Sequence, residues 1–205
     1  MRKTIIFLSL IILVIFISGF SEIKLITNNT TNLTASLSYV PTETESIEPI
    51  FQIPFVGNSF NGFREALAFK ESQGKYNAVN TLGYLGKYQF GRSTLERFNI
   101  YNTKTFLESP ELQEDAFIAL CSVNKWILRK DIKRKVGKKI NGTEITESGI
   151  LAAAHLAGAG NVKKYLRSNG SSQFKDAYGS SIQHYIKKFS GYDTSFIEAN
   201  QKPVL

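Results

Sequence analysis

The chain has a single cysteine in 205 residues. An intramolecular disulfide is excluded, so the fold must rest on packing. Cys121 lies between Leu120 and Val123 in a helical pattern, and reads as a small core residue rather than a nucleophile. No cysteine follows the apolar run near the start, which excludes a lipid-modified cysteine there. Internal repeats are lacking, which excludes a solenoid. Acid is in short supply. Leaving out Arg2, Lys3 and Lys24, and Glu22, Glu43, Glu45 and Glu48, residues 59–205 keep 22 basic against 13 acidic side chains, a balance of +9. Such a surface is drawn to anionic material: envelope polymers, membrane headgroups or nucleic acid. Nucleic acid is not the expected partner. The basic run "RKDIKRKVGKK" at 129–139 has no interleaved aromatics to stack bases. It reads either as a solvated helix end or as an attraction for anionic envelope polymer and headgroups.

What is there begins with Arg2 and Lys3 before an apolar run from Ile5 to Phe20. That is the pattern of an export signal over residues 1–20, either cleaved or kept as a membrane anchor through residues 5–20. No A-x-A-like cleavage site stands out. Both readings place the protein outside the cytoplasm, in the periplasm or cell envelope, secreted or membrane-anchored. Residues 21–58 are rich in Thr, Asn, Ser and Glu with Pro41, Pro49 and Pro54, and read as a linker. Asn28, Asn29, Asn32 and Asn141 sit in N-x-S/T sequons.

Residues 59–195 carry helical periodicity, with 196–205 expected as a tail. Phe63, Ala66, Leu67 and Lys70-Glu71 share one face, and Gly74 can end that helix. Ser93-Thr94-Leu95-Glu96 has the form of a capping box. Ser109-Pro110 opens a long amphipathic helix through Leu112, Ala116, Ala119, Leu120, Val123 and Ile127. Trp126 flanks that face and is expected in the core. Thr146 caps "GILAAAHLAG", which closes at Gly158; Asn161 and Ser181 open two further segments, the last stopping at Gly191. "YLGKYQF" alternates like a strand. The expected fold is all-α, with a small β or irregular excursion near residues 83–90.

Glu71 lies one turn after Leu67, so it follows the buried face. A carboxyl set against apolar surface loses hydration, which favours the protonated form a general acid must present. The bland alternative is a helix-end glutamate pointing to water. The residues beyond Glu71 separate the two. Glu71-Ser72, Ala78, Gly83, Gly86 and Gln89 in "ESQGKYNAVNTLGYLGKYQF" resemble the lysozyme-like lytic transglycosylases of the goose-lysozyme-like superfamily. Their pattern is a catalytic Glu-Ser, a spaced Ala and a Gly-x-x-Gly-x-x-Gln turn. "AAHLAGAGNV" is similar to the family's Ala-Ala-Tyr-Asn-Ala-Gly-x-Gly segment, and "HYIKKF" to its closing Tyr-Val helix.

The resemblance implies a lysozyme-like domain that acts on peptidoglycan glycan strands without cofactor or metal. Glu71 would protonate the oxygen between N-acetylmuramic acid and N-acetylglucosamine, and the sugar's N-acetyl group would take the place of a second carboxylate. The ionised Glu71 would then take the muramyl 6-hydroxyl proton, closing a 1,6-anhydro ring. The resemblance also implies that Ser72 bonds near the N-acetyl group or holds Glu71. Tyr88, Gln89, Gly83 and Gly86 would form the cleft floor, and Tyr185 would lie beside the glutamate. Two places depart from the family. His155-Leu156 stand where it has Tyr-Asn, so His155 is either a polar cleft residue or a helix-face histidine satisfied by neighbours. Lys87-Tyr88 replace an apolar pair, which would make the floor more polar and basic. The alternatives are a lysozyme cutting the same bond with water, a non-catalytic glycan-binding domain on the same fold, and a binder of anionic polymer acting through charge.

Overall fold

A computed structural model describes residues 56–205. The expected leader and nearly all of the expected linker lie outside these residues. The described residues fall in one unit, Ile53–Leu205. About 52% of the region is helical, with one two-stranded sheet, so the fold is mainly helical.

Helix α1 spans Phe60–Ser72; the Ser59 side chain accepts from the Gly62 amide, and Phe63, Leu67 and Ala68 are buried. It stops at Gln73, which takes the left-handed conformation, one residue before the expected Gly74. After the irregular stretch 73–91 comes α2, Arg92–Glu96, whose N-cap is Gly91 with no side-chain cap bond. The expected capping box therefore does not form, because Ser93 already lies inside this single turn. Helix α3, Thr103–Glu108, is an addition, started by Asn102 accepting from the Lys104 and Thr105 amides. The expected Ser109-Pro110 start opens α4, Pro110–Lys135, with the Ser109 side chain accepting from Leu112.

A small antiparallel hairpin follows, β1 (Lys139–Ile140) and β2 (Thr143–Glu144). Its turn is Asn141-Gly142, both at positive φ (48° and 75°), the pair that a tight two-residue hairpin favours. Helix α5, Glu147–Arg167, is capped by Thr146 and broken at Gly158 (φ 76°, ψ 148°). The expected stop is thus a kink, and Asn161 sits inside the helix, its amide donating to the Ala157 carbonyl at 2.9 Å across the break. Ser181 caps α6, Ile182–Lys188, which ends earlier than Gly191.

Helix α5 packs against both α4 and α6. Its first two turns bury the small residues Gly149, Ala152, Ala153 and Ala154 beside Ile150 and Leu151, and the Ile186 carbonyl of α6 lies where a Gly149 side chain would begin. The core is aromatic at its centre. Phe63 and Phe117 are fully buried, each worth roughly 1.5–3 kcal/mol of transfer free energy. Phe63 also meets Phe189 edge-on at 6.5 Å, and Tyr185 lies 5.3 Å from Phe189, so aromatic contacts link α1 to the end of α6. Cys121 is buried, and burial pushes its thiol up to about 12. Trp126 is half-buried rather than core, with the Arg129 guanidinium 4.2 Å over its ring. The basic run closes on the buried Asp131, held by Arg134 (2.5 Å) and Arg167 (3.1 Å). The stretch 196–205 is not a free tail over its first half. Phe196 stacks on Phe60 at 5.0 Å, Ile197 is buried, and the Asn200 amide donates to the Ser122 carbonyl at 3.2 Å. The apolar pair Phe196-Ile197 has a surface to bury against, which composition alone does not show. Among the described residues no helix is long and apolar enough to cross a membrane.

Candidate active site

The stretch 73–91 has little regular structure, so its shape must come from outside bonds. Internally, Leu85 and Phe90 exchange amide bonds at 2.9 and 2.8 Å, and the Gly86 amide donates to the Ala78 carbonyl at 2.7 Å. Three side chains from the helices then fix it. Ser72 donates to the Lys87 carbonyl at 2.8 Å. His155 Nε2 donates to the Tyr88 carbonyl at 2.8 Å. Gln113, fully buried, accepts from the Lys87 amide at 2.8 Å and donates to the Tyr76 and Phe106 carbonyls at 3.0 and 2.9 Å. Gly86, at φ 75°, is what lets Gln113 in, since a Cβ there would overlap Gln113 Oε1.

Glu71 is half-buried at the C-terminal turn of α1. Its Oε1 accepts from the Tyr185 phenol of α6 at 2.8 Å. Among the described residues no other group bonds this carboxylate, which leaves Oε2 without a hydrogen-bond partner. Burial, and then the adjoining Glu71 charge, push the Tyr185 phenol far above the ordinary tyrosine value. It therefore stays protonated and acts only as a donor.

Glu71 opens into a cavity of about 350 Å³, walled by the 80–84 stretch, by Gln89, His155 and Leu156, and by residues 174–178. Thr81 Oγ1 and the Tyr178 hydroxyl meet at 3.1 Å and join two of these walls. A larger cavity of about 730 Å³ shares Leu82, Tyr84, Gln89, His155 and Leu156 with the first, and runs on past α2 and the Gly158 kink. Together they make one groove with Glu71 at its inner end. Leu82, Tyr84 and Tyr178 leave apolar surface exposed along it.

The expected site residues divide. Glu71, Gln89 and His155 line the inner cavity, Tyr185 holds Glu71, and Gly83 lines the outer cavity at φ 79°. Gln89 takes a positive φ of 52°, and its side-chain amide donates to the Gly86 carbonyl at 2.9 Å. His155 lines the cavity while Nε2 holds the Tyr88 carbonyl; its buried Nδ1 has no partner among the described residues, so neighbours satisfy the ring only in part. Ser72, Gly86 and Tyr88 lie elsewhere and are corrections. Ser72 pins the loop rather than contacting the groove, and Gly86 is buried against Gln113. Tyr88 is fully buried, stacked on Phe117 at 4.2 Å.

The expectation of a basic floor at Lys87-Tyr88 also fails, because both side chains turn away from the groove into a partly buried ionic cluster. Lys87 Nζ lies 2.8 Å from both Glu65 and Glu114 and donates to the Tyr76 hydroxyl at 3.3 Å. Glu114 further accepts from Tyr76 (2.7 Å) and Tyr88 (2.6 Å), and Arg64 stands 3.2 Å away. Burial pulls the Lys87 ammonium down, yet its bonds to Glu114 and Glu65 leave it above the usual lysine value. Burial likewise raises Glu114, but Lys87, Tyr88 and Tyr76 outweigh it and hold the carboxyl below its usual range.

Periodicity and motif spacing pass over Tyr84, Asp176, Tyr178, Arg92 and Arg97, all of which line the groove. Asp176 is a second carboxylate in the inner cavity, its Oδ1 accepting from the Tyr178 and Ser180 amides at 3.0 and 2.6 Å. Its sequence signal is a turn, "KDAYGSS", which holds no hint of what it faces. Among the described residues no three His, Cys, Asp or Glu side chains gather as a metal-ligand cluster. Compared with family models, curated proteins and solved structures, the chain matches none.

Proposed function

We propose that residues 59–195 form an exported peptidoglycan-cleaving enzyme of the lytic transglycosylase type, acting on the MurNAc–GlcNAc β-1,4 bond with Glu71 as its single acid and base. The observation that carries this is a carboxylate with one donor partner, Tyr185, lining a cavity that shares five wall residues with a larger one beside it. In the first step Glu71 gives its proton to the glycosidic oxygen as the bond to the muramyl C1 breaks. The substrate's N-acetyl oxygen covers the positive charge left there. In the second step the Glu71 carboxylate takes the 6-hydroxyl proton, and that oxygen bonds to C1 as the N-acetyl group leaves. Tyr185 keeps the carboxylate aimed through both steps.

One observation favours a second reading. Asp176 lines the same cavity, and a second carboxylate is what hydrolysis by an activated water requires. The two readings part on product. Purified peptidoglycan digested with the full chain should release fragments lighter by one water, with anhydro ends. Reducing ends would transfer the assignment to a lysozyme, and absence of release would leave a glycan-binding domain.

A further inference from the structure

The outer arm of the groove carries a charge pattern that the cleavage chemistry does not use. Its cavity of about 730 Å³ is lined by Arg92 and Arg97, at the two ends of α2, and by no aspartate or glutamate. The other four arginines of the described region are committed. Arg64 stands 3.2 Å from Glu114, Arg134 and Arg167 hold Asp131, and Arg129 lies over Trp126. Among the described residues Arg92 and Arg97 are in no ion pair, and both are exposed. Guanidinium groups kept unpaired beside a groove present planar forks that fit a carboxylate. Ser93 and Thr94 add hydroxyls between them, and Leu120 and Ile127 give the arm an apolar wall.

We propose that this arm is a subsite for a free carboxylate carried by the glycan strand, so that the protein selects muramyl residues bearing an ionised group over neutral sugar. The proposal rests on the reading of Glu71 and deepens it. The five residues shared by the two cavities make the arm continuous with the place where Glu71 acts. A strand bound across Glu71 therefore lays its neighbouring units along Arg92 and Arg97. The shared chemistry is a carboxylate, and two sources supply it on such a strand: the lactyl group of a bare muramyl unit and the peptide stem attached there.

The test uses the full chain with four substrates: strands with intact stems, strands stripped of stems, the same strands with carboxyls converted to amides, and neutral GlcNAc oligomers. The Arg92→Gln/Arg97→Gln pair should lower kcat/KM on carboxylate-bearing strands by about 10- to 100-fold. It should leave kcat/KM on the amidated strands, and binding of the neutral oligomers, within about twofold of wild type. Arg92→Lys/Arg97→Lys should lose less than the glutamine pair, since charge remains while the fork is gone. Persistence of the effect on stripped strands names the lactyl carboxylate, and its restriction to intact strands names the stem. A separate arm measures binding of the same strands to the Glu71→Gln chain, so that the subsite is read even if cleavage fails. Equal weakening on all four substrates, or equal affinity for amidated and carboxylate-bearing strands, overturns the proposal.

Discussion

On one side of the 73–91 stretch, Glu114 accepts from Lys87, Tyr76 and Tyr88 and faces Arg64; on the other, Glu71 accepts from the Tyr185 phenol and nothing else described. Both are partly buried glutamates on helices. The first has every oxygen engaged, and its hydrogen bonds bind a segment that has no helix or sheet of its own. The second has an oxygen to spare and a cavity in front of it. A saturated carboxylate is a structural part, because protonating it means losing bonds already made. A carboxylate with one orienting donor can exchange its proton and keep its place.

The widest separation between the two should come from matching substitutions. Glu71→Gln should cut muropeptide release by about 1,000-fold, the scale of a lost general acid–base, while stability stays within about 0.5 kcal/mol. Glu114→Gln should do the reverse, costing about 2–3 kcal/mol in denaturant unfolding and leaving turnover per folded molecule nearly intact. If both variants lost activity and stability together, the division between the two sides would be wrong. Next in size, Gly86→Ala should destabilise by about 2 kcal/mol or more, from its positive φ and the overlap with Gln113. Turnover at low temperature should survive it better than the melting temperature does.

Smaller effects sharpen the picture. Tyr185→Phe removes Glu71's only described donor and should slow release about tenfold, with the fold kept because the ring remains packed on Phe189. The smallest is a pH effect. The Glu114 carboxyl is held below its unfolded value, so the stability it contributes is complete above about pH 4.3 and is lost as pH falls through the folded value. Lys87 is shifted upward, so its share is complete below about pH 10.4 and is lost as pH rises through the folded value. Unfolding curves of wild type and Glu114→Gln should therefore differ at neutral pH and converge in acid.

Much of the helical frame is legible in the sequence because its signals are local. Ser109-Pro110, Thr146 and Ser181 each start the helix they announce, since a cap needs only a side-chain oxygen and an amide a few residues on. Asn141-Gly142 carries an equally local hairpin signal, masked by its place in a sequon. The groove is legible in part. Glu71, Gln89, His155 and Tyr185 fall together from segments far apart, whereas Tyr88 and Lys87 lie on the opposite side of the loop from the one expected. A stretch without a repeating period gives no rule for which way a side chain points. What turns Lys87 inward is the pair Glu65 and Glu114, which α1 and α4 bring to it. Arg92, Arg97 and Asp176 are invisible in the sequence for the same reason. Their meaning lies in what they face across the groove, and exposed charged residues look alike until the fold sets them around a cavity.

The central claim is that Glu71 works alone and without water. Peptidoglycan digested in heavy-oxygen water and read by mass spectrometry decides it. Unlabelled anhydro ends from the wild-type chain, absent with Glu71→Gln, are the predicted result. Labelled reducing ends, or release that survives Glu71→Gln, would contradict it.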